Sequence, residues 1–243
     1  MELPAPVGVL GHAVHPVDLA GATEWVLAQS LSDAGSRLVV TLNPELVVRA
    51  RRDATLHRAL EHADLTVADG VGLLWAARRA GWKLPGRVPG VDLAFAVLER
   101  GGTGLRVALL GGRPGVPERA AEQAERRWGV TVTSVHHGYF DRDNESLRVA
   151  AEVGAGRPHL LLAGLGEGQE AWLEAHRREC RAGVSMGVGG TLDVLAGTAR
   201  RTPAWTRRLG LEWAWRVGLD PGRWHRFPRL LEFARMAWRE GRR

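Results

Sequence analysis

Six short apolar runs, each followed by a glycine-bearing or polar turn, constrain this chain more than any other feature of its sequence. They are RLVVTL (37–42), LTVA (65–68), LRVALL (105–110), VTVTSV (130–135), HLLLAG (159–164) and GVSMGV (183–188). Short runs that are apolar throughout, rather than at alternate positions, read as buried strands covered on both faces. Between them lie amphipathic stretches such as PELVVRARRDATLHRALEHA, PGVPERAAEQAERRWG and EAWLEAHRRE, with apolar residues at helical spacing. This alternation predicts an α/β, Rossmann-like, mainly parallel sheet with helices on both faces.

Such a sheet receives its ligand beyond the carboxyl ends of its strands, so the residues after each run are the ones to read for chemistry. They are Thr41-Leu42-Asn43-Pro44-Glu45, Asp69-Gly70-Val71-Gly72, Gly111-Gly112-Arg113-Pro114-Gly115, His136-His137-Gly138-Tyr139, Gly164 through Glu170, and Gly189-Gly190-Thr191-Leu192-Asp193. Each joins a glycine or small residue to a polar group.

Charge divides the chain of 243 residues at about position 200. Residues 200–243 hold twelve arginines against four carboxylates, so this segment is strongly basic, and the overall net charge of +6 leaves residues 1–199 slightly acidic. Five of the ten tryptophans also lie in that tail. The expected organisation is therefore a catalytic domain over 1–199 and a basic, Trp-rich helical appendage over 200–243. In the appendage Trp205, Leu209, Trp213 and Val217, then Phe227, Leu231, Ala234 and Trp238, recur at helical spacing, with Asp220-Pro221-Gly222 as the break. Basic amphipathic helices rich in Trp suit an anionic membrane surface. A hairpin packed on the body is the competing reading; no recognised nucleic-acid-binding fold surrounds the segment, so nucleic acid is not expected as a partner.

No apolar run approaches the ~20 residues that span a bilayer, and MELPAPVGVLGH lacks a cationic signal-peptide start. A cytoplasmic protein is expected, peripheral at the inner face of the plasma membrane. The lone cysteine, Cys180, excludes an internal disulfide and a multi-cysteine zinc site; in AHRRECRAG it reads as an unreactive thiol near the end of a solvated helix.

Among the motifs, Asn43-Pro44 makes a good helix start, with Asn as N-cap and Pro at the first helical position. That leaves the Thr41 hydroxyl, at the end of a buried strand, in need of a partner. Asp69 has two readings of equal weight: a cap for the helix GVGLLWAARRA, or a general base that takes a proton from an attacking hydroxyl. LLGGRPG lacks the GxGxxG spacing and the later acidic residue of a dinucleotide site, but a strand–Gly-Gly–helix turn suits a nucleotide phosphate. Gly189 and Gly190 permit close approach of a diphosphate, with Asp193 one turn into the next helix. Tyr139, the only tyrosine, is placed to stack on a nucleobase. Adjacent His136 and His137 seldom converge on one ion. Asp141-Arg142-Asp143 fits a metal-binding DxD pattern, but Asp143 reads better as the cap of NESLRVAAEV, so no metal and no cofactor is assigned.

Taken together, TLNPELVVRARRD, ADLTVADGVGLLWAARR, RVPGVDL, LLGGRPGVPERAA, HHGYF, GQEAW, GVGGTLDVLAG and RRTPAWTRRLGLEWAWRV resemble the WecG/TagA/CpsF glycosyltransferase family over most of residues 37–225. The resemblance implies an inverting, metal-independent transferase of envelope polysaccharide synthesis. Its best-known activity moves N-acetylmannosamine from a UDP-sugar donor to a polyprenyl-diphosphate-linked sugar acceptor, undecaprenyl-diphosphate-linked N-acetylglucosamine. It implies Asp69 as base, with Thr41 and Asn43 beside it and Arg87, of RVPG, in the same cleft. Gly111, Gly112, Tyr139, Gln169, Gly189, Gly190 and Asp193 fall at positions expected around the UDP-sugar, and Arg207, Arg208, Arg216 and Arg223 would close over the donor or meet lipid phosphates. The chain departs from the family at Gly166-Glu167-Gly168-Gln169-Glu170, which is one residue shorter than the usual Gly-x-Pro-x-Gln-Glu and lacks its proline. A different donor sugar or acceptor, for an exopolysaccharide, is one alternative; a non-catalytic nucleotide- or RNA-binding module is the alternative of another class. The Trp-rich surface would also permit a homo-oligomer.

Overall fold

A computed structural model describes residues 2–32, 35–199 and 227–240. All six apolar runs are strands: β3 (Arg37–Leu42), β4 (Leu65–Ala68), β5 (Arg106–Gly111), β6 (Thr131–His136), β7 (Leu160–Gly164) and β8 (Val184–Gly187). They form one sheet in the order β4-β3-β8-β7-β5-β6, every pairing parallel. The fold is thus the expected α/β arrangement, with one correction to burial. β6 is an edge strand and is only partly covered; the Thr and Ser alternating with Val in VTVTSV fit that half-exposed position. A separate antiparallel hairpin, β1 (Val7–Val9) and β2 (His12–Val14), precedes the sheet.

Two apolar layers flank the sheet, because alternate strand side chains point to opposite faces. On one face Leu38, Val40, Leu42, Leu110 and Leu161 pack with α2 (Pro44–Ala50), α3 (Ala54–Glu61), α4 (Val71–Arg79), α7 (Ser146–Ala155) and α8 (Gln169–Ala175). On the other, Val39, Val67, Leu109, Leu162 and Met186 pack with α1 (Leu19–Ser30), α5 (Gly90–Gly101), α6 (Val116–Trp128) and α10 (Thr191–Leu195). A short α9 (Arg177–Cys180) completes the body. Helix starts follow local chemistry: Asp18, Asn43 and Asp53 each accept backbone N–H bonds at the starts of α1, α2 and α3. Asp53 thereby splits the single amphipathic stretch after β3 into two helices.

The last described element, α11 (Phe227–Glu240), packs on α2 and α4. Phe233 and Ala237 are its buried residues, with Met236 packed against the same layer. The expected stripe of Phe227, Leu231, Ala234 and Trp238 is not the buried one: Leu231, Ala234 and Trp238 are exposed. The helix has two apolar stripes, and the neighbouring stripe faces the protein. Among the described residues no helix is long and apolar enough to cross a membrane.

Candidate functional site

β3 feeds α2 onto one face of the sheet, while its neighbour β8 feeds α10 onto the other. Chain segments leaving adjacent strands in opposite directions open a crevice at their carboxyl ends. The registers set its floor. Leu42 lies opposite Ala68, and Val39 opposite Met186, so continuing both ladders sets Asp69, Asn43 and Gly190 at one level across β4, β3 and β8. At a strand spacing of about 4.8 Å, Asp69 and Gly190 are ~10 Å apart across that floor.

The β3–β4 corner brings together four of the expected residues. Asn43 is the N-cap of α2, its Oδ1 accepting from the N–H groups of Glu45 and Leu46 at 3.0 Å each. Thr41 is buried on the α5 side, and a Cβ at Gly90 would lie 3.1 Å from its Oγ1; a glycine at the start of α5 keeps that hydroxyl uncompressed. The Asp69 N–H donates to Leu42 O at 2.7 Å, so the β4 alternation carries on and directs Asp69 to the same side as Thr41. The capping position of α4 belongs to Gly70, at φ 95°, not to Asp69. Val88 N–H donates to Ala68 O at 2.8 Å, which brings Arg87 to this corner. Asp69 and Arg87 are both partly exposed.

A row of glycines runs away from that corner along the other strand ends. A Cβ on Gly111 would stand 2.4 Å from Gly164 O, and one on Gly164 would stand 2.5 Å from Gly189 O. Backbone therefore packs on backbone from β5 through β7 to β8, and these glycines have a structural reason to be there. Gly112 would strike Val116 at 2.8 Å. Gly189 and Gly190 differ: no atom lies within 4 Å of a Cβ at Gly189, and only Asp193 Oδ2, at 3.9 Å, near one at Gly190. This turn is the open one, and its freedom from side chains faces the crevice. Asp193 stands in the first turn of α10.

Gln169, first residue of α8, is tied to that turn. Its Oε1 accepts from Gly189 N–H at 3.3 Å, and its Nε2 donates to Glu170 Oε1 at 2.7 Å. Glu170 was not singled out from sequence, yet it is the buried carboxyl of the site. Burial pushes its pKa upward, against the Gln169 amide that donates to it, and its Oε2 is buried without a hydrogen-bond partner among the described residues. The available signal was its place in QEAWL, where Glu170 and Leu173 share one face of the helix.

Tyr139 lies past the end of β6, largely exposed, five strand spacings or about 24 Å from the Asp69 edge. Gly138 N–H donates to Gly112 O at 2.8 Å, so Tyr139 neighbours the Gly111-Gly112 turn but stands apart from the β3–β4 corner. The Asp141-Arg142-Asp143 segment is structural. Asp141 accepts from the N–H groups of Asp143 and Asn144 and from the Asn144 side chain, while Arg142 donates to the carbonyls of Glu167 and Leu165 and braces the loop before α8. The capping residue of α7 is Glu145, not Asp143. Cys180 is buried rather than on a solvated helix, and burial pushes its thiol up to about 12.

Arg207, Arg208, Arg216 and Arg223 lie outside the described residues. A different arginine of the tail pairs with residues that follow the strand ends. Arg229 Nη1, on α11, is 2.7 Å from Glu45 Oε1 and 3.1 Å from Glu167 Oε1. It straps the first turn of α2 to the loop between β7 and α8.

Residues 7–243 match the glycosyl transferase WecG/TagA/CpsF family. Over 194 residues, covering 79% of this chain and 74% of each relative, the chain is 34% identical to the N-acetylglucosaminyldiphosphoundecaprenol N-acetyl-beta-D-mannosaminyltransferases of Staphylococcus aureus strains NCTC 8325 / PS 47 and COL.

Proposed function

The chain belongs to the WecG/TagA/CpsF glycosyltransferase family and is a sugar-transferring enzyme; from that premise we propose that it moves N-acetylmannosamine from UDP to undecaprenyl-diphosphate-linked N-acetylglucosamine, with inversion and without a metal. The observation that carries this reading is the position of Asp69. It stands at the floor of the crevice, one residue before the helix cap, on the side of Thr41 and level with the open Gly189-Gly190 turn.

In this mechanism the Asp69 carboxylate accepts the proton of the acceptor hydroxyl. The hydroxyl oxygen forms a bond to the anomeric carbon as the bond from that carbon to the diphosphate oxygen breaks, and the electron pair leaves with UDP. A single in-line displacement of this kind inverts the anomeric centre. The donor lies along the strand ends: nucleobase toward Tyr139 and Gly112, diphosphate over the Gly189-Gly190 turn, sugar toward Asp69. Free backbone amides and arginine side chains, Arg87 nearest, stabilise the departing charge. The basic tail brings the enzyme to the inner face of the plasma membrane, where a lipid-linked acceptor resides.

Asp69→Asn tests the assignment. General-base catalysis contributes about 100- to 10,000-fold, so transfer should fall by that factor while calorimetric UDP binding persists. An Asp69→Asn enzyme of wild-type rate would remove Asp69 from the mechanism. A second reading keeps the enzyme and changes the sugar; it is favoured by the shortened Gly166–Glu170 segment, which contains the Gln169 that holds Gly189. Mass spectrometry of products from a panel of UDP-sugars separates the two.

A further inference from the structure

The first turn of α8 contains a side-chain pair that the transfer step itself does not use. Gln169 and Glu170 are both buried, and both lie against the end of β8. A Cβ at Gly187 would stand 2.8 Å from Gln169 Nε2, 3.1 Å from Gln169 Cδ and 3.2 Å from Glu170 Oε1. The last residue of β8 is therefore a glycine for a steric reason, since only bare backbone lets both polar side chains reach this strand. Their support is braced from outside. Arg142 donates to the carbonyls of Glu167 and Leu165 in the loop before α8, and one turn on Trp172 Nε1 donates to the buried Ser146 Oγ at 2.8 Å.

Polarity runs one way through this pair. Gln169 Nε2 donates to Glu170 Oε1 at 2.7 Å, and Gln169 Oε1 accepts from Gly189 N–H at 3.3 Å. A primary amide has one donor end and one acceptor end. Turned over, it would set its NH2 group against the Gly189 N–H, donor against donor. Glu170 Oε1 is the acceptor that holds the NH2 end away. The carboxyl itself is poorly served where it lies. Its Oε2 is buried without a hydrogen-bond partner among the described residues, and the cation that acts on it from α2, Arg49, also lies 4.0 Å from Glu167 Oε1. For packing alone, an apolar side chain of similar volume would be neutral or stabilising at such a place. The carboxyl is explained by what Oε1 accepts, not by packing.

We propose that Glu170 is a positioning residue for the donor: by accepting from Gln169 Nε2 it fixes which end of that amide meets Gly189, and so holds the open Gly189-Gly190 turn in the form that receives the diphosphate. This role rests on the donor placement given above and adds the residue that sets it. Glu170 touches neither the donor nor the reacting atoms; it acts through Gln169.

Two near-isosteric substitutions test this role in the full chain. Glu170→Met offers Gln169 no oxygen acceptor, whereas the side-chain oxygen of Glu170→Gln still does. Glu170→Met should weaken calorimetric UDP binding and raise the donor KM about two- to tenfold, the size of one hydrogen bond, with kcat little changed and the thermal transition retained. Glu170→Gln should match wild type in both. A Glu170→Met enzyme that binds UDP as wild type does would overturn the role, and so would an equal loss in Glu170→Gln. If Glu170→Met does not fold, Glu170→Leu takes its place. Wild-type protein that does not bind UDP would sink the donor reading by itself. Glu170 is then judged by NMR measurement of solvent exchange at the Gly189 amide: faster exchange in Glu170→Met but not in Glu170→Gln supports the role, and exchange unchanged in both refutes it.

Discussion

Replacing Phe233 by alanine should detach α11 from an otherwise intact body. Phe233 is 4% exposed and its ring edge comes within 3.3 Å of where a Gly72 Cβ would stand, so it closes the interface of α11 with the start of α4. Truncating a buried Phe to Ala costs about 3–5 kcal/mol. The other fastenings of the helix are smaller. The Arg229–Glu45 and Arg52–Glu232 pairs, at 2.7 and 2.9 Å, involve partly exposed groups and are worth about 0–1 kcal/mol each after solvent screening. The Arg79–Trp238 stack adds about 0.5–1 kcal/mol at its exposed site. Loss of Phe233 therefore removes the largest single contribution, and at about 1.4 kcal/mol per decade it raises the undocked population ~100- to 4,000-fold. Limited trypsinolysis reads this directly, because Arg229, Arg235 and Arg239 lie on α11 and cleavage tracks the open population when reclosing is fast. Cleavage within 227–240 should accelerate ~100-fold or more while the thermal transition of the sheet body is retained. Unchanged cleavage would show that the ion pairs, not Phe233, hold the helix, and would refute this ranking of forces.

Three further outcomes follow from the site. Gly164→Ala would force a Cβ to 2.5 Å from Gly189 O; urea unfolding should show a loss of about 1–3 kcal/mol from overpacking, together with a raised KM for the donor as the Gly189 turn is displaced. Glu170→Gln should change the pH dependence of stability. Because burial raises the Glu170 pKa in the folded state, its favourable contribution is complete below the unfolded value of about 4.3 and is lost as pH rises through the folded value. The variant should therefore gain stability over wild type progressively as pH rises from about 4.3 to the folded value, and melting curves of equal separation at pH 4 and pH 8 would contradict this. Cys180, its thiol pushed up to about 12 by burial, should resist iodoacetamide at pH 8 in the native protein and react in urea; labelling without denaturant would show that the α7–α9 interface opens.

The strands were legible because a short run of Leu, Val and Ala bounded by glycine has few alternatives to a buried parallel strand. The hairpin at 7–14 was not, since its turn is Leu10-Gly11 with both φ positive, and a Leu in that position hides the Asn-Gly signal of such turns. In α11 the period was readable but not the side: Phe233 and Ala237 form one stripe and Leu231 and Trp238 another, and periodicity alone does not say which meets the protein. The strand-end residues were readable as a set, because topology alone sends them to one edge of the sheet. Their separate roles depended on facts between elements. Only the φ of Gly70 hands the capping position to it rather than to Asp69. Glu170 becomes notable only once α8 is seen to press it against Gly187, beside the Gln169 that holds Gly189.

The placement of α11 joins these observations physically. Its inner side carries Phe233 against α4 and Arg229 against the first turn of α2 and the loop before α8; its outer side exposes Leu231, Ala234 and Trp238. Any ligand that binds the docked form and not the detached one stabilises docking by RT ln(1 + [L]/Kd), about 2.7 kcal/mol at a hundredfold excess over Kd. That approaches the contribution of Phe233 itself. A ligand whose binding depends on the Arg229 contacts is therefore linked to the docking of α11, and each must strengthen the other by the same amount.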